Sequence, residues 1–274
     1  MHVSQVLDDL LAEQRALDDV VADLTDEQWS LATPSPRWSI TDQIGHLAFF
    51  DGTASLAIAD PASFVAHRSE MFAQFADPVS VDETTLTSFR LLAPADRLAA
   101  WREGRTTLAA AAHTLADDSR VEWYGPSMGS KSFLAARLME VWAHGQDVVD
   151  TLAGAGLPAD RPDTDRLRHI AQLGVITRGW SYTVRGEVAP DVDVRVELAA
   201  PGGDVWSWGS PEAAESITGP AGDFCRIVVQ RRSIADTTLA VSGAAAQDWM
   251  HKAQAFAGAP TSGPAAGSPA GASS

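Results

Sequence analysis

Apolar residues recur along the first half of the chain with a helical period. Val3, Val6, Leu7, Leu10, Leu11, Leu17, Val20, Val21 and Leu24 fall on one face, which predicts a helix over residues 2–24. Thr25 and Gln28 then form a capping-box pattern around a short turn holding Trp29. Pro34 and Pro36 bias their predecessors away from helix, so residues 33–38 are extended or turned. Ser39 as N-cap, with Asp42 in the first turn, starts a second helix that carries His46 and stops before Pro61. A shorter helix is expected over residues 61–76 and a longer one over 94–115, with Leu98, Trp101, Leu108, Ala112 and Leu115 as its stripe. After a loop at 125–129, Ser130 is placed to cap a helix over 131–153, ended by the glycines at 154 and 156. Four main helices make an up-and-down bundle.

Beyond Pro158 the pattern changes. Residues 163–184 still repeat with a helical period, but residues 192–198 alternate with period two and predict a half-buried strand. A glycine turn at 202–204 and the return strand 205–208 complete a hairpin carrying Trp206 and Trp208. Residues 219–232 are expected to open as a helix, 238–242 as a strand and 244–257 as a last helix. The fold class is therefore mostly α, with a bundle over 1–157, a smaller α+β domain over 158–257, and a Gly/Pro/Ala/Ser tail over 258–274 expected to be disordered.

Composition narrows the function. The chain has 274 residues, 45% of them hydrophobic, enough for two compact domains. A net charge of −16 argues against a nucleic-acid partner, since phosphate binding needs clustered Lys and Arg. No apolar run reaches membrane-spanning length, and the N-terminus lacks the basic-then-apolar order of a signal peptide, so a cytoplasmic protein is expected. Cys225, the single cysteine, excludes an internal disulfide framework and sits among apolar neighbours as an ordinary buried thiol. No internal repeat and no phosphate-binding glycine loop is found.

The chemistry is concentrated in three residues. Glu140 and His144 stand four apart and so share a helix face, while His46 lies on the second helix. Such Glu–His pairs are common on exposed helices, but these neighbours are apolar: Leu138, Met139, Val141 and Trp142 around Glu140, and Ile44, Leu47, Phe49 and Phe50 around His46. Stranded polar groups are costly to bury. A shared divalent cation satisfies all three, and three protein ligands leave a coordination position open, as at a catalytic metal site.

The pattern Trp38-Ser-Ile-Thr-Asp-Gln-Ile-Gly-His46, followed by Glu140 and His144 with Gly145-Gln-Asp147 behind them, resembles the mycothiol-dependent maleylpyruvate isomerase family. That family belongs to the DinB-like metalloenzyme superfamily of four-helix bundles, and the likeness covers residues 1–155, closest to an actinobacterial metal-binding branch. The resemblance implies His46, Glu140 and His144 as metal ligands, a zinc or similar divalent ion, and mycothiol as thiol cofactor. It also implies an α+β domain that helps bind the thiol, with Gly219-Pro-Ala221 leading to Arg231 as the cofactor-binding and catalytic arginine. Here Gln230 stands where the family has glycine, and the tryptophan hairpin is particular to the branch.

A metal with an open position lowers the pKa of a protic ligand. With thiol there, the implied activity is isomerisation or S-transfer on a small electrophilic acid, Arg231 gripping a carboxylate by a two-pronged contact. With water there, a hydrolase or lyase results; a fourth protein ligand would instead mark a non-catalytic metal-binding or sensing module. Asp147 is a candidate to orient a ligand histidine, and Trp38, Phe50, Tyr124 and Trp142 are candidate pocket walls. The expected partner is a small molecule, acting on a monomer or homodimer.

Overall fold

The structure is a computed structural model that describes residues 1–74 and 77–267. The chain divides into two compact units, the first comprising residues 1–33 and 37–159, the second residues 34–36 and the chain from Asp160.

In the first unit, α1 (Val3–Val21), α3 (Ile40–Ala59), α6 (Pro94–Ala112) and α7 (Ser130–Gly154) form a ring. α1 packs on α7, α7 on α3, α3 on α6, and α6 on α1. The core between them holds Leu10 and Leu17 of α1, Ile44 and Leu47 of α3, Trp101 of α6 and Leu138 of α7, all essentially without exposure. The short α2 (Asp26–Trp29) has the expected capping box, with Thr25 accepting from the Gln28 amide. Ser39 begins α3, and Asp42 reaches back to accept from the Ser39 amide at 2.8 Å.

Two helices fill the connection from α3 to α6: α4 (Pro61–Gln74) and α5 (Pro78–Arg90). The last two residues of the helix expected over 61–76 lie outside the described residues. α5 was not expected from the apolar pattern, because its Ser- and Thr-rich sequence gives a weak period. Local chemistry nevertheless starts it, with Asp77 as N-cap accepting from the Ser80 amide and Pro78 in the first turn. Tertiary burial of Leu86 and Phe89 then holds it against α3. A methyl group at Gly45 would meet the Phe89 ring at 3.0 Å, so the residue next to His46 is small enough for α5 to approach closely.

Two short strands, β1 (Arg120–Val121) and β2 (Met128–Gly129), pair antiparallel around the expected loop. Ser130 is the first residue of α7 rather than its cap. Its hydroxyl is buried and donates to the Ala116 carbonyl at 2.8 Å.

In the second unit, the helix expected over 163–184 breaks at Thr177 into α8 (Leu167–Ile176) and α9 (Arg178–Thr183). β3 (Val194–Ala199) and β4 (Val205–Trp208) form the expected hairpin. β5 (Glu215–Pro220) runs parallel to β3 on its other side, and β6 (Ala240–Ser242) pairs antiparallel with β5, giving the order β4-β3-β5-β6. The expectation of helix from residue 219 is thus corrected at its start: Gly219 and Pro220 end a strand, and α10 covers Ala221–Val228. Gly174 lets α8 and α10 touch, since a methyl there would fall 2.8 Å from a Val228 methyl. α11 spans Ala244–Lys252 and stops at Ala253, whose backbone is extended.

The tail is held as far as it is described. Gln254 donates to the Ala259 carbonyl at 3.3 Å, Gln230 to the Thr261 carbonyl at 3.2 Å, and the Gly267 amide donates to Asp236 at 2.9 Å. Low-complexity composition did not reveal that these backbone groups find fixed partners; the rest of the tail lies outside the described residues. Among the described residues, no helix is long and apolar enough to cross a membrane.

Candidate metal centre

α7 presents Glu140 and His144 one turn apart, and α3, packed on α7, presents His46. The Glu140 Oε2 atom lies 3.3 Å from His46 Nε2 and 3.2 Å from His144 Nε2. One ligand atom from each residue falls within 4.8 Å of the other two, and no other group of this kind occurs among the described residues. The imidazole rings are 4.4 Å apart. Each side chain keeps an edge to solvent, with 17%, 26% and 11% exposure for His46, Glu140 and His144.

The protonation of His144 follows from a chain of hydrogen bonds. The Thr33 hydroxyl donates to the Trp38 carbonyl at 3.0 Å, so its oxygen accepts from the Gln43 amide at 2.8 Å. That bond turns Gln43 Oε1 toward His144 Nδ1, 2.5 Å away. An amide oxygen only accepts, so Nδ1 carries the proton and Nε2 presents a lone pair. Nε2 then faces a carboxylate oxygen at 3.2 Å, two acceptors in contact, which a proton or a cation must separate. The donor set therefore fits a divalent cation.

The electrostatics agree. Burial, reinforced by the neighbouring His144, pushes His46 down to about 4, against the pull of Glu140. Burial pushes the Glu140 carboxyl up, but the hydrogen bonds it accepts when protons lie between it and the His144 and His46 rings outweigh that and hold it well below the usual carboxylate range. A neutral imidazole beside an ionised carboxylate is the state in which both bind metal.

Trp38 lies over both imidazoles, 5.1 Å from His46 and 5.8 Å from His144, and Phe50 is 4.7 Å from His46, with Tyr124 5.5 Å beyond Phe50. Trp142 is buried in the core of the bundle. The Asp147 carboxylate is 4.0 Å from His144 Nδ1, beyond hydrogen-bond reach, and Gln43 takes the role expected of it. Gln43 had a signal in the sequence: a polar residue three before His46, on the same helix face, among Ile40, Ile44 and Leu47.

Arg231 belongs to the second unit, in the turn after α10, where one guanidinium N–H donates to the Val229 carbonyl at 2.9 Å. The preceding residue, Gln230, has φ 57°, the left-handed region that favours glycine. Its side chain donates to the Ala253 carbonyl at 3.0 Å and accepts from the Thr261 hydroxyl. Cys225 is fully buried, and burial pushes its thiol well up, which makes it inert as a nucleophile.

Residues 10–149 match the family described as the mycothiol maleylpyruvate isomerase N-terminal domain. The chain belongs to this family. The chain is also similar to uncharacterized proteins from two strains of Mycobacterium tuberculosis. Each is 42% identical over 252 residues, covering 92% of this chain and 95% of its own. Among solved structures, the mycothiol-dependent maleylpyruvate isomerase superposes with a TM-score of 0.55 at 14% identity, over 85% of this chain and 91% of that one. A mutant of that isomerase with a histidine changed to alanine gives 0.54, also at 14% identity, over 84% and 90%. At that identity the likeness speaks for the fold, a mostly helical chain with a smaller α+β part, as expected from the sequence.

Proposed function

We propose that the chain is a divalent-metal-dependent enzyme, with zinc held by His46, Glu140 and His144, that uses mycothiol for isomerisation or S-transfer on a small electrophilic acid. The observation that carries this reading is the trio itself, with an imidazole lone pair held against a carboxylate oxygen at 3.2 Å. When bound, such an ion acts as a Lewis acid and lowers the pKa of a protic ligand, here a thiol. Gln43 keeps His144 in the tautomer that offers Nε2, and Trp38 and Phe50 exclude water from the flanks of the imidazoles. Cys225 supplies no nucleophile, so the reactive sulfur has to come from a small molecule. Membership of the mycothiol maleylpyruvate isomerase family supports mycothiol as that molecule. Arg231 is assigned to a carboxylate of substrate or thiol, for which its planar fork is suited. A reducing, cytoplasmic setting fits both the unpaired cysteine and a thiol cofactor.

The test is turnover of an electrophilic unsaturated acid by zinc-loaded protein with and without mycothiol. Activity should require the thiol and survive Cys225→Ser. Full turnover in thiol-free buffer would replace this reading with a hydrolase or lyase.

A further inference from the structure

Trp38 is the only ring within reach of both imidazoles of the trio among the described contacts, and its position is fixed from α5, the helix that the apolar pattern did not reveal. We propose that Asp82 is a positioning residue for the metal centre: its carboxylate holds the Trp38 indole against His46 and His144, covering one flank of the two imidazoles with a ring that offers no ligand atom. The inference rests on the metal reading and deepens it.

Asp82 lies on α5 and is 7% exposed. Its Oδ1 accepts the indole Nε1–H at 3.1 Å. Its Oδ2 accepts from Arg37 twice, from Nε at 3.1 Å and from Nη2 at 2.8 Å. Arg37 adopts φ 68°, a conformation that costs a non-glycine residue energy and persists only where surroundings hold it. One buried carboxylate therefore fixes two consecutive residues, Arg37 and Trp38, in the segment before α3. The indole cannot swing away without leaving that carboxylate with one of its partners lost. Its plane is 26° from that of His144 and 47° from that of His46. An aromatic face beside the imidazoles displaces water there and offers no atom that would compete for an ion held by the trio.

The experiment reads the ring geometry in metal-free protein. Of the seven histidines, His46 and His144 should show C2–H resonances that carry the indole ring-current shift, defined by the change in Trp38→Phe. Asp82→Ala should move both resonances toward their Trp38→Phe positions. Asp82→Asn, which retains an oxygen to accept the indole N–H, should keep them near wild type. Both resonances unmoved in Asp82→Ala, or moved as far in Asp82→Asn, overturns the proposal. Should Asp82→Ala fail to fold, hydrogen exchange at Trp38 Nε1 in the wild-type protein decides: slow exchange supports the bond, and exchange at the rate of a free indole overturns it. Zinc uptake is measured in parallel by equilibrium dialysis. No uptake removes the metal reading and this proposal with it, whereas normal uptake with unmoved resonances removes Asp82 alone.

Discussion

Gln43 Oε1 stands 2.5 Å from His144 Nδ1 and decides which nitrogen of that ring is free to bind. Outer-shell partners of this kind are worth roughly 10- to 100-fold in metal affinity. Gln43→Leu should weaken zinc binding by about that factor, read by competition with a chelating dye. Wild-type affinity in the variant would show that the tautomer is set elsewhere.

Acid should weaken the metal-free protein before most carboxylates titrate. His46 falls to about 4 in the folded protein against 6.5 unfolded, so between these values the unfolded chain holds more protons. Stability therefore drops as pH falls through that window, by about 2 kcal/mol from pH 7 to pH 5. Glu140, held well below its usual range, adds a further loss at more acidic pH. Urea denaturation of chelator-treated protein at the two pH values measures the drop, and His46→Phe should abolish most of it.

The two ligand-bearing helices are also joined by a buried ion pair, Arg137 Nη2 to Asp51 Oδ1 at 2.8 Å, with Gln14 donating to the other Asp51 oxygen. Burial pushes the Asp51 carboxyl up despite Arg137, so the pair is costly to hold charged. Removing one partner leaves an uncompensated charge, and Arg137→Met alone should cost about 3–5 kcal/mol. Asp51→Leu combined with Arg137→Met should recover most of that loss in denaturant melts. A double variant as weak as the single one would mean that the pair contributes net stability.

For Arg231, the expected outcome is a loss of turnover with unchanged metal content. Arg231→Lys keeps the charge but not the planar fork. Losing one charge-assisted hydrogen bond of ~1.5–3 kcal/mol corresponds to a drop of about 10- to 100-fold in kcat/KM. Equal kinetics for Arg231→Lys and wild type would reduce Arg231 to a structural residue of its turn.

The trio, the bundle and the family were legible because each leaves a local mark: ligand types at helical spacing, apolar stripes and a contiguous motif. The parts that build the surroundings of the trio leave weaker marks. α5 is held by the burial of Leu86 and Phe89 rather than by a strong period, and Asp82, 44 residues from Trp38 in sequence, meets it only through the fold. β5 was obscured because Gly219 and Pro220, read as a helix opening, instead end a strand paired along β3. Gln230 shows the opposite case, where a departure visible in the sequence gains its meaning from a left-handed φ.

The central claim is that His46, Glu140 and His144 hold one divalent ion, and the most direct measurement is metal content per chain by elemental analysis after metal-replete expression. The account predicts about one zinc per chain in the wild type, lost in His46→Ala and in His144→Ala, with both variants still folded by circular dichroism. Protein free of transition metal that takes up none on titration, or alanine variants that keep a full equivalent, would contradict it.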